Sequence, residues 1–139
     1  MSHFFIPIHV RYSEVDRMGR AHHVQFFTWL EMARLELLRS LGISYKEMED
    51  EGLFFVVAET SCRYSKAVEF DDHLKIYPVI VDQSKHVVKF EYEIKSDEKA
   101  KTEVLIAKAK TTLVAVDKTG KIADIPEKYQ TKLAHVQKN

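Results

Sequence analysis

A single cysteine, Cys62, stands in 139 residues, which excludes an intramolecular disulfide and any zinc cluster built on cysteines. Glycine and proline are also sparse. Gly19, Gly42, Gly52 and Gly120, with Pro7, Pro78 and Pro126, lie far apart and read as punctuation, not as a linker. Neither sign of charge prevails, since 21 Lys and Arg face 21 Asp and Glu; a nucleic-acid binder carries a basic excess or stripe, so no nucleic-acid partner is expected. No apolar run approaches the roughly 18 residues of a membrane-spanning helix, and the start, Met1-Ser2-His3-Phe4-Phe5-Ile6-Pro7, has no signal-peptide pattern. The GxGxxG, P-loop, GxSxG and HExxH signatures are absent as well. A cytoplasmic protein without a membrane span is the expectation.

What is present is ordinary globular composition, 45% hydrophobic with 11% aromatic, in a chain of single-domain size, so one domain over residues 1–139 is expected. Residues 3–13 alternate as a first strand, with Pro7 placing it at a sheet edge or a strand end. Ser13 to His23 reads as irregular, turning at Gly19. From about Gln25 the period becomes helical: Phe26, Phe27, Leu30, Ala33, Arg34, Leu37, Leu38 and Leu41 form one stripe, and Gly42 is the stop. Ser44 with Glu47 fits a capping box for a short second helix reaching Glu51. Strands follow near 53–65, 73–82, 86–96 and 102–117, with polar turns at 96–99 and 117–120, and Pro126-Glu127 opens a C-terminal helix reaching Ala134. One strand, a long helix and then a run of antiparallel strands argue for an α+β fold with the helix on one sheet face.

The chemistry concentrates between the first strand and the long helix, in Arg11-Tyr12-Ser13-Glu14-Val15-Asp16-Arg17-Met18-Gly19-Arg20-Ala21-His22-His23. At a helix start, backbone N–H groups lack intrahelical partners and the positive end of the dipole lies behind them. Such donors can hold a carbonyl oxygen as it becomes negative, and an acid just before them can act as nucleophile or general base. Asp16 fits that role, although taken alone an ordinary turn or capping aspartate is the commoner reading of such a residue. His22 and His23 are metal ligands only if joined by Asp16 or Glu31, and adjacent histidines seldom point the same way, so no metal is expected. Glu59 faces either a cleft or solvent. Lys66, Lys85 and His86, near strand ends, are candidates for phosphate contacts. Cys62 reads as a buried strand residue with nothing to lower its pKa.

The run Asp16-Arg17-Met18-Gly19-Arg20-Ala21-His22-His23-Val24-Gln25-Phe26-Phe27-Thr28-Trp29-Leu30-Glu31-Met32-Ala33-Arg34 resembles the signature of the 4-hydroxybenzoyl-CoA thioesterase-like family of hotdog-fold acyl-CoA thioesterases. That pattern is an aspartate, a glycine after two further residues, a histidine or tyrosine, and a helix bearing Trp-x-Glu-x-Ala-Arg. Tyr64-Ser65-Lys66-Ala67-Val68-Glu69-Phe70-Asp71-Asp72 is similar to the family's Tyr-x-x-Pro-Ala-x-Tyr-Asp-Asp, and the likeness continues to Ile125-Pro126. Three positions depart from it: Gln25 replaces asparagine, His22 a common tyrosine and Ala67 a proline.

The resemblance implies a hotdog fold, a long central helix wrapped by a curved antiparallel sheet, whose members pair edge to edge as homodimers or homotetramers with interfacial active sites. It implies hydrolysis of an acyl-CoA to a carboxylic acid and free CoA, with no cofactor. Asp16 then matches the nucleophile or general base, the His23 backbone N–H the donor to the thioester carbonyl, and Gly19 the loop glycine. The His23 side chain takes a supporting role, and Gln25 and Glu31 are substrate-side positions, Glu31 with a second acid role open. Two other readings stand beside this one: a hydratase or dehydratase of β-hydroxyacyl thioesters, and a non-catalytic acyl-thioester binding protein.

Overall fold

A computed structural model describes residues 4–96 and 103–137, the side chains as far as residue 134. The elements are β1 (Ile6–His9), a 3-10 turn (Tyr12–Glu14), α1 (His23–Ser40), α2 (Tyr45–Asp50), β2 (Phe54–Tyr64), β3 (His73–Gln83), β4 (Val87–Ser96), β5 (Val104–Val116) and α3 (Glu127–Gln137). The strands form one five-stranded antiparallel sheet in the order β1-β3-β4-β5-β2. The α+β class and the helix-then-strands order read from the sequence are therefore present. The turn expected at 96–99 lies outside the described residues beyond Ser96, and residue 102 of the last expected strand does so too.

The chain divides into two compact units. The first comprises Met1–Arg34, Cys62–Pro78 and Tyr92–Ala109, and the second Leu35–Ser61, Val79–Glu91 and Lys110–Asn139. In the first, β1 pairs antiparallel with β3, Ile6 opposite Ile76 and Pro7 opposite Lys75. Pro7 sits on an edge strand, one of the few places in a sheet that tolerate its missing N–H. Ile6, Ile8 and Val10 are buried while Pro7 and His9 face out. The expected first strand is shorter than residues 3–13, because the Glu14 amide donates to the Arg11 carbonyl (2.9 Å) and closes a 3-10 turn. Tyr12 is thereby turned outward, 78% exposed.

Helix α1 contributes Phe26, Trp29, Leu30, Ala33 and Arg34 to the core of this unit. Trp29 extends the stripe beyond what its spacing indicated. The Arg34 guanidinium, buried on the same face, donates to the Tyr92 hydroxyl of β4 at 3.4 Å. Tyr92 and Ile94 of β4, with Ala107 and Ala109 of β5, complete the buried set.

In the second unit α1 ends as the glycine at 42 requires. Gly42 has φ +81°, a left-handed conformation open to glycine at little cost, and the Ile43 amide returns to the Leu38 carbonyl at 2.9 Å. Ser44 caps α2 by accepting the Glu47 amide at 3.3 Å. Alternation on β4 and β5 buries Val88, Phe90, Leu113 and Ala115. Helix α3 is tied down where the Glu51 carboxylate meets the Lys128 ammonium (2.8 Å) and the Tyr129 hydroxyl (2.9 Å). Among the described residues no helix is long and apolar enough to cross a membrane.

Leu30 has no exposed surface, so Leu30→Ala deletes buried methyl groups and leaves a void. It is expected to lower the unfolding free energy by about 3 kcal/mol. Thr28→Ala, on the exposed face of the same helix, is expected to stay within about 0.5 kcal/mol. Urea denaturation of the two variants checks this.

Candidate active site

Between β1 and α1 the backbone folds into a tight loop whose polar groups are almost wholly spoken for. Val15 and Ala21 form an antiparallel bridge, the Asp16 amide donates to the Arg20 carbonyl at 2.8 Å, and the Gly19 amide to the Asp16 carbonyl at 2.9 Å. Gly19 has φ +78°, so a side chain there is strained even though nothing lies within 4 Å of a Cβ. The loop is fastened to the segment after β2: the Ala21 amide donates to the Val68 carbonyl (2.6 Å), Arg20 bridges Glu69, and the Phe70 amide donates to the Gly19 carbonyl (3.3 Å). That segment turns through Asp71 at φ +74° and is itself bonded to Val10 beyond β1, the Val10 amide donating to Asp72 at 2.9 Å. The Tyr64 to Asp72 motif is thus the second wall of the site.

These two walls and the start of α1 enclose a cleft of about 570 Å³ in the first unit. Asp16, Arg20, Ala21, His22 and His23 line it from the loop, Phe26 from α1, and Tyr64 to Val68 from the opposite wall. The two readings of Asp16 fall on its two oxygens. Oδ1 accepts the Met18 amide (2.8 Å) and the Arg20 amide (3.2 Å), which is ordinary turn chemistry. No described residue donates to Oδ2, and Asp16 borders the cleft.

At the start of α1, His22 acts as the cap. Its carbonyl accepts the Gln25 amide at 2.9 Å, and its Nδ1 accepts the Val24 amide at 3.3 Å. The His23 amide has no acceptor among the described residues. It is an unpartnered donor at the positive end of an 18-residue helix, on the cleft. The His22 and His23 rings stack with centroids 4.5 Å apart. Tyr64 stands edge-on to Phe26 at 4.9 Å and donates its hydroxyl to the His23 carbonyl at 3.4 Å. Burial, with the Cys62 thiol beside it, pushes the Tyr64 phenol up to about 12. Burial also raises the Cys62 thiol, which fits its reading as a strand residue. Arg20 and Lys66 bring positive charge to the cleft, and no carboxylate of the described residues pairs with either.

Of the positions expected from sequence, Asp16, His23 and Lys66 meet in this cleft, and Gly19 shapes its loop. Gln25 and Glu31 lie on α1 but do not line it; Glu31 is turned to solvent, 62% exposed and 3.9 Å from the Arg34 guanidinium. Glu59, Lys85 and His86 belong to the second unit. There Glu59 is exposed on β2, and His86 Nδ1 lies 3.1 Å from the Ala123 carbonyl and 3.2 Å from Asp124. Arg20, Tyr64 and Ser65 were not singled out from sequence as site residues; no spacing rule brings residues 20 and 64 together. Among the described residues no group of three or more His, Cys, Asp or Glu is placed to hold a metal ion.

Residues 10–133 match the family model of the thioesterase-like superfamily, and the chain belongs to that family. It is 26% identical over 132 residues to an acyl-CoA thioesterase, YbgC, of Haemophilus influenzae, covering 94% of this chain and 93% of that one. A solved structure of a hypothetical protein from Aquifex aeolicus aligns at 32% identity and TM-score 0.85, over 94% of this chain and 98% of the other. The DHNA-CoA thioesterase from Staphylococcus aureus aligns at 26% identity and TM-score 0.88, over 96% and 90%. The fold is the hotdog that the sequence resemblance implied.

His22→Ala removes the Nδ1 acceptor and is expected to destabilise the protein by about 1 kcal/mol. His22→Asn supplies a preferred capping oxygen and is expected to restore stability to within about 0.5 kcal/mol. Urea unfolding of both variants is the measurement.

Proposed function

We propose that this member of the thioesterase-like superfamily hydrolyses acyl-CoA thioesters, water and acyl-CoA giving a carboxylic acid and free CoA. The observation that carries the reading is the pairing, in one cleft, of an unpartnered carboxylate oxygen, Asp16 Oδ2, with an unpartnered helix-start donor, the His23 N–H. A thioester carbonyl needs both: a donor for the oxygen that becomes negative and an oxygen base or nucleophile for the carbon. The acyl-CoA and DHNA-CoA thioesterase activities named for the Haemophilus and Staphylococcus relatives agree with it.

In the proposed reaction the carbonyl oxygen accepts the His23 N–H and gains from the α1 dipole. Asp16 then acts by one of two routes to the same products. Its carboxylate attacks the carbonyl carbon and expels CoA as thiolate, leaving a mixed anhydride that water opens; or it takes a proton from water, which attacks directly. A thiolate leaves readily, so no strong general acid is needed. Single-turnover hydrolysis in heavy-oxygen water identifies the first route where water opens the anhydride at the Asp16 carbonyl, because label then enters Asp16 and not the product acid. In this reading Arg20 and Lys66, both lining the cleft, meet the CoA phosphates, and Phe26 with Tyr64 gives the acyl group an aromatic wall. The stacked His23 ring orients the helix start.

We also read β2 as the edge along which two copies pair. It is an end strand of the sheet, 11 residues long, with Val56 45% and Val57 49% exposed, and a long end strand is a template for another strand. Light scattering is expected to give at least a dimer for wild type. Lys at both Val56 and Val57 is expected to shift it toward a 16.2 kDa monomer.

Free-thiol release from a panel of short, long and aromatic acyl-CoAs tests the reaction. The Asp16→Asn variant keeps an oxygen for the Met18 and Arg20 amides but has no carboxylate. At least one ester should turn over in wild type, with a loss of about a hundredfold or more in the variant, about 2.7 kcal/mol of barrier. Inactivity across the panel, or a full rate in Asp16→Asn, overturns the assignment.

A further inference from the structure

The chain buries a carboxylate that the proposed reaction does not use. Glu14 is only 5% exposed, and it is not among the residues lining the cleft. Both its oxygens are filled: Oε1 accepts the Arg11 amide at 2.7 Å, and Oε2 accepts the Trp29 indole N–H at 3.0 Å and the Arg11 guanidinium at 3.4 Å. Its backbone is equally engaged, the amide donating to the Arg11 carbonyl (2.9 Å) and the carbonyl accepting the His22 amide (3.0 Å). A single residue is therefore bonded to the end of the first strand segment, to the residue that caps α1, and to the core of α1 itself. Trp29 is 1% exposed, so the far anchor is fixed by packing.

Burying an ionised carboxylate costs several kcal/mol unless donors compensate it, and an apolar side chain would fill the space without that cost. Burial does push the Glu14 carboxyl up, yet the Arg11 amide, the Trp29 indole and the Arg11 guanidinium together hold it below the usual carboxylate range. The charged form is the one this site is built to keep. The structural consequence falls two residues away. Asp16 follows Glu14 across Val15, whose bridge to Ala21 closes the loop. Moving Glu14 moves the base of that loop against α1, and with it the geometry between Asp16 Oδ2 and the His23 amide.

We propose that Glu14 is a positioning residue, a buried clamp between the 3-10 turn and Trp29 that sets Asp16 at its distance from the helix start. The proposal rests on the catalytic reading of Asp16, and its test separates the two. Glu14→Gln keeps the size but presents an amide N–H₂ to one of the N–H donors. Trp29→Phe keeps a ring in the core and removes the indole donor. With an ester that wild type turns over, each folded variant is expected to lose about tenfold or more in kcat while KM stays within about threefold, because misplacing a reacting group acts on the bound complex. The double variant is expected to be no worse than the poorer single one, since both release the same clamp. A merely stabilising Glu14 predicts a lower melting temperature with kcat per folded molecule unchanged, and that result overturns the proposal, as does additive loss in the double variant. Should Glu14→Gln not fold, a folded Trp29→Phe with wild-type kcat is overturning by itself.

Hydrogen exchange gives a readout independent of turnover. Glu14→Gln or Trp29→Phe should speed exchange of the Asp16, Gly19 and His22 amides about tenfold with β3 and β4 unaffected. If wild type hydrolyses no ester, the functional reading fails while this measurement still decides the clamp: faster loop exchange supports it, unchanged exchange overturns it.

Discussion

A carboxylate withdrawn from water must have its oxygens filled, and the site end of this protein is organised around one that is. Glu14 draws the Arg11 amide, the Arg11 guanidinium and the Trp29 indole onto itself, and that demand bends the chain out of β1 into a 3-10 turn. The turn in turn sets where the following loop begins. Because the indole is packed in the core, the loop is referenced to the buried face of the helix and not to solvent-exposed neighbours. Hydrogen bonds to charged acceptors are stronger than neutral ones, so a few of them suffice to hold a short exposed segment.

The same economy governs the helix start. Of the first amides of α1, two are consumed locally by His22, one through its ring and one through its carbonyl. The His23 amide is left over on the cleft. On the acid side, one oxygen of Asp16 closes the turn and the other is left over. Each spare group exists because its neighbours are satisfied, and the proposed reaction draws on both. The opposing wall adds Tyr64 and Lys66, and its own backbone is held by Val10 and the loop.

Elements with strong periodicity were legible in the sequence because each reports burial on one face. Strand β4 alternates through Val88, Phe90, Tyr92 and Ile94, and all four are buried; α1 stops at the glycine that has φ +81°. The first strand was read as too long, since alternation continues through Tyr12 while a hydrogen bond from residue 14 to residue 11 ends the strand earlier. Trp29 fell off the simple stripe but is buried, its indole N–H being given to Glu14.

For the proposed site, the sequence by itself brought forward Asp16, Gly19 and His23 as candidates, and it carried the family resemblance. These residues sit in one short segment, where chain connectivity already keeps them close. Only the tertiary structure decided that Tyr64 and Lys66 face them and that Glu59, Lys85 and His86 belong to the other unit. It also decided that Glu14 is a carboxylate engaged with the core of α1, through the Trp29 indole. Proximity between residues far apart in the chain depends on strand pairing and on which donors are left unsatisfied, and neither is written in local spacing.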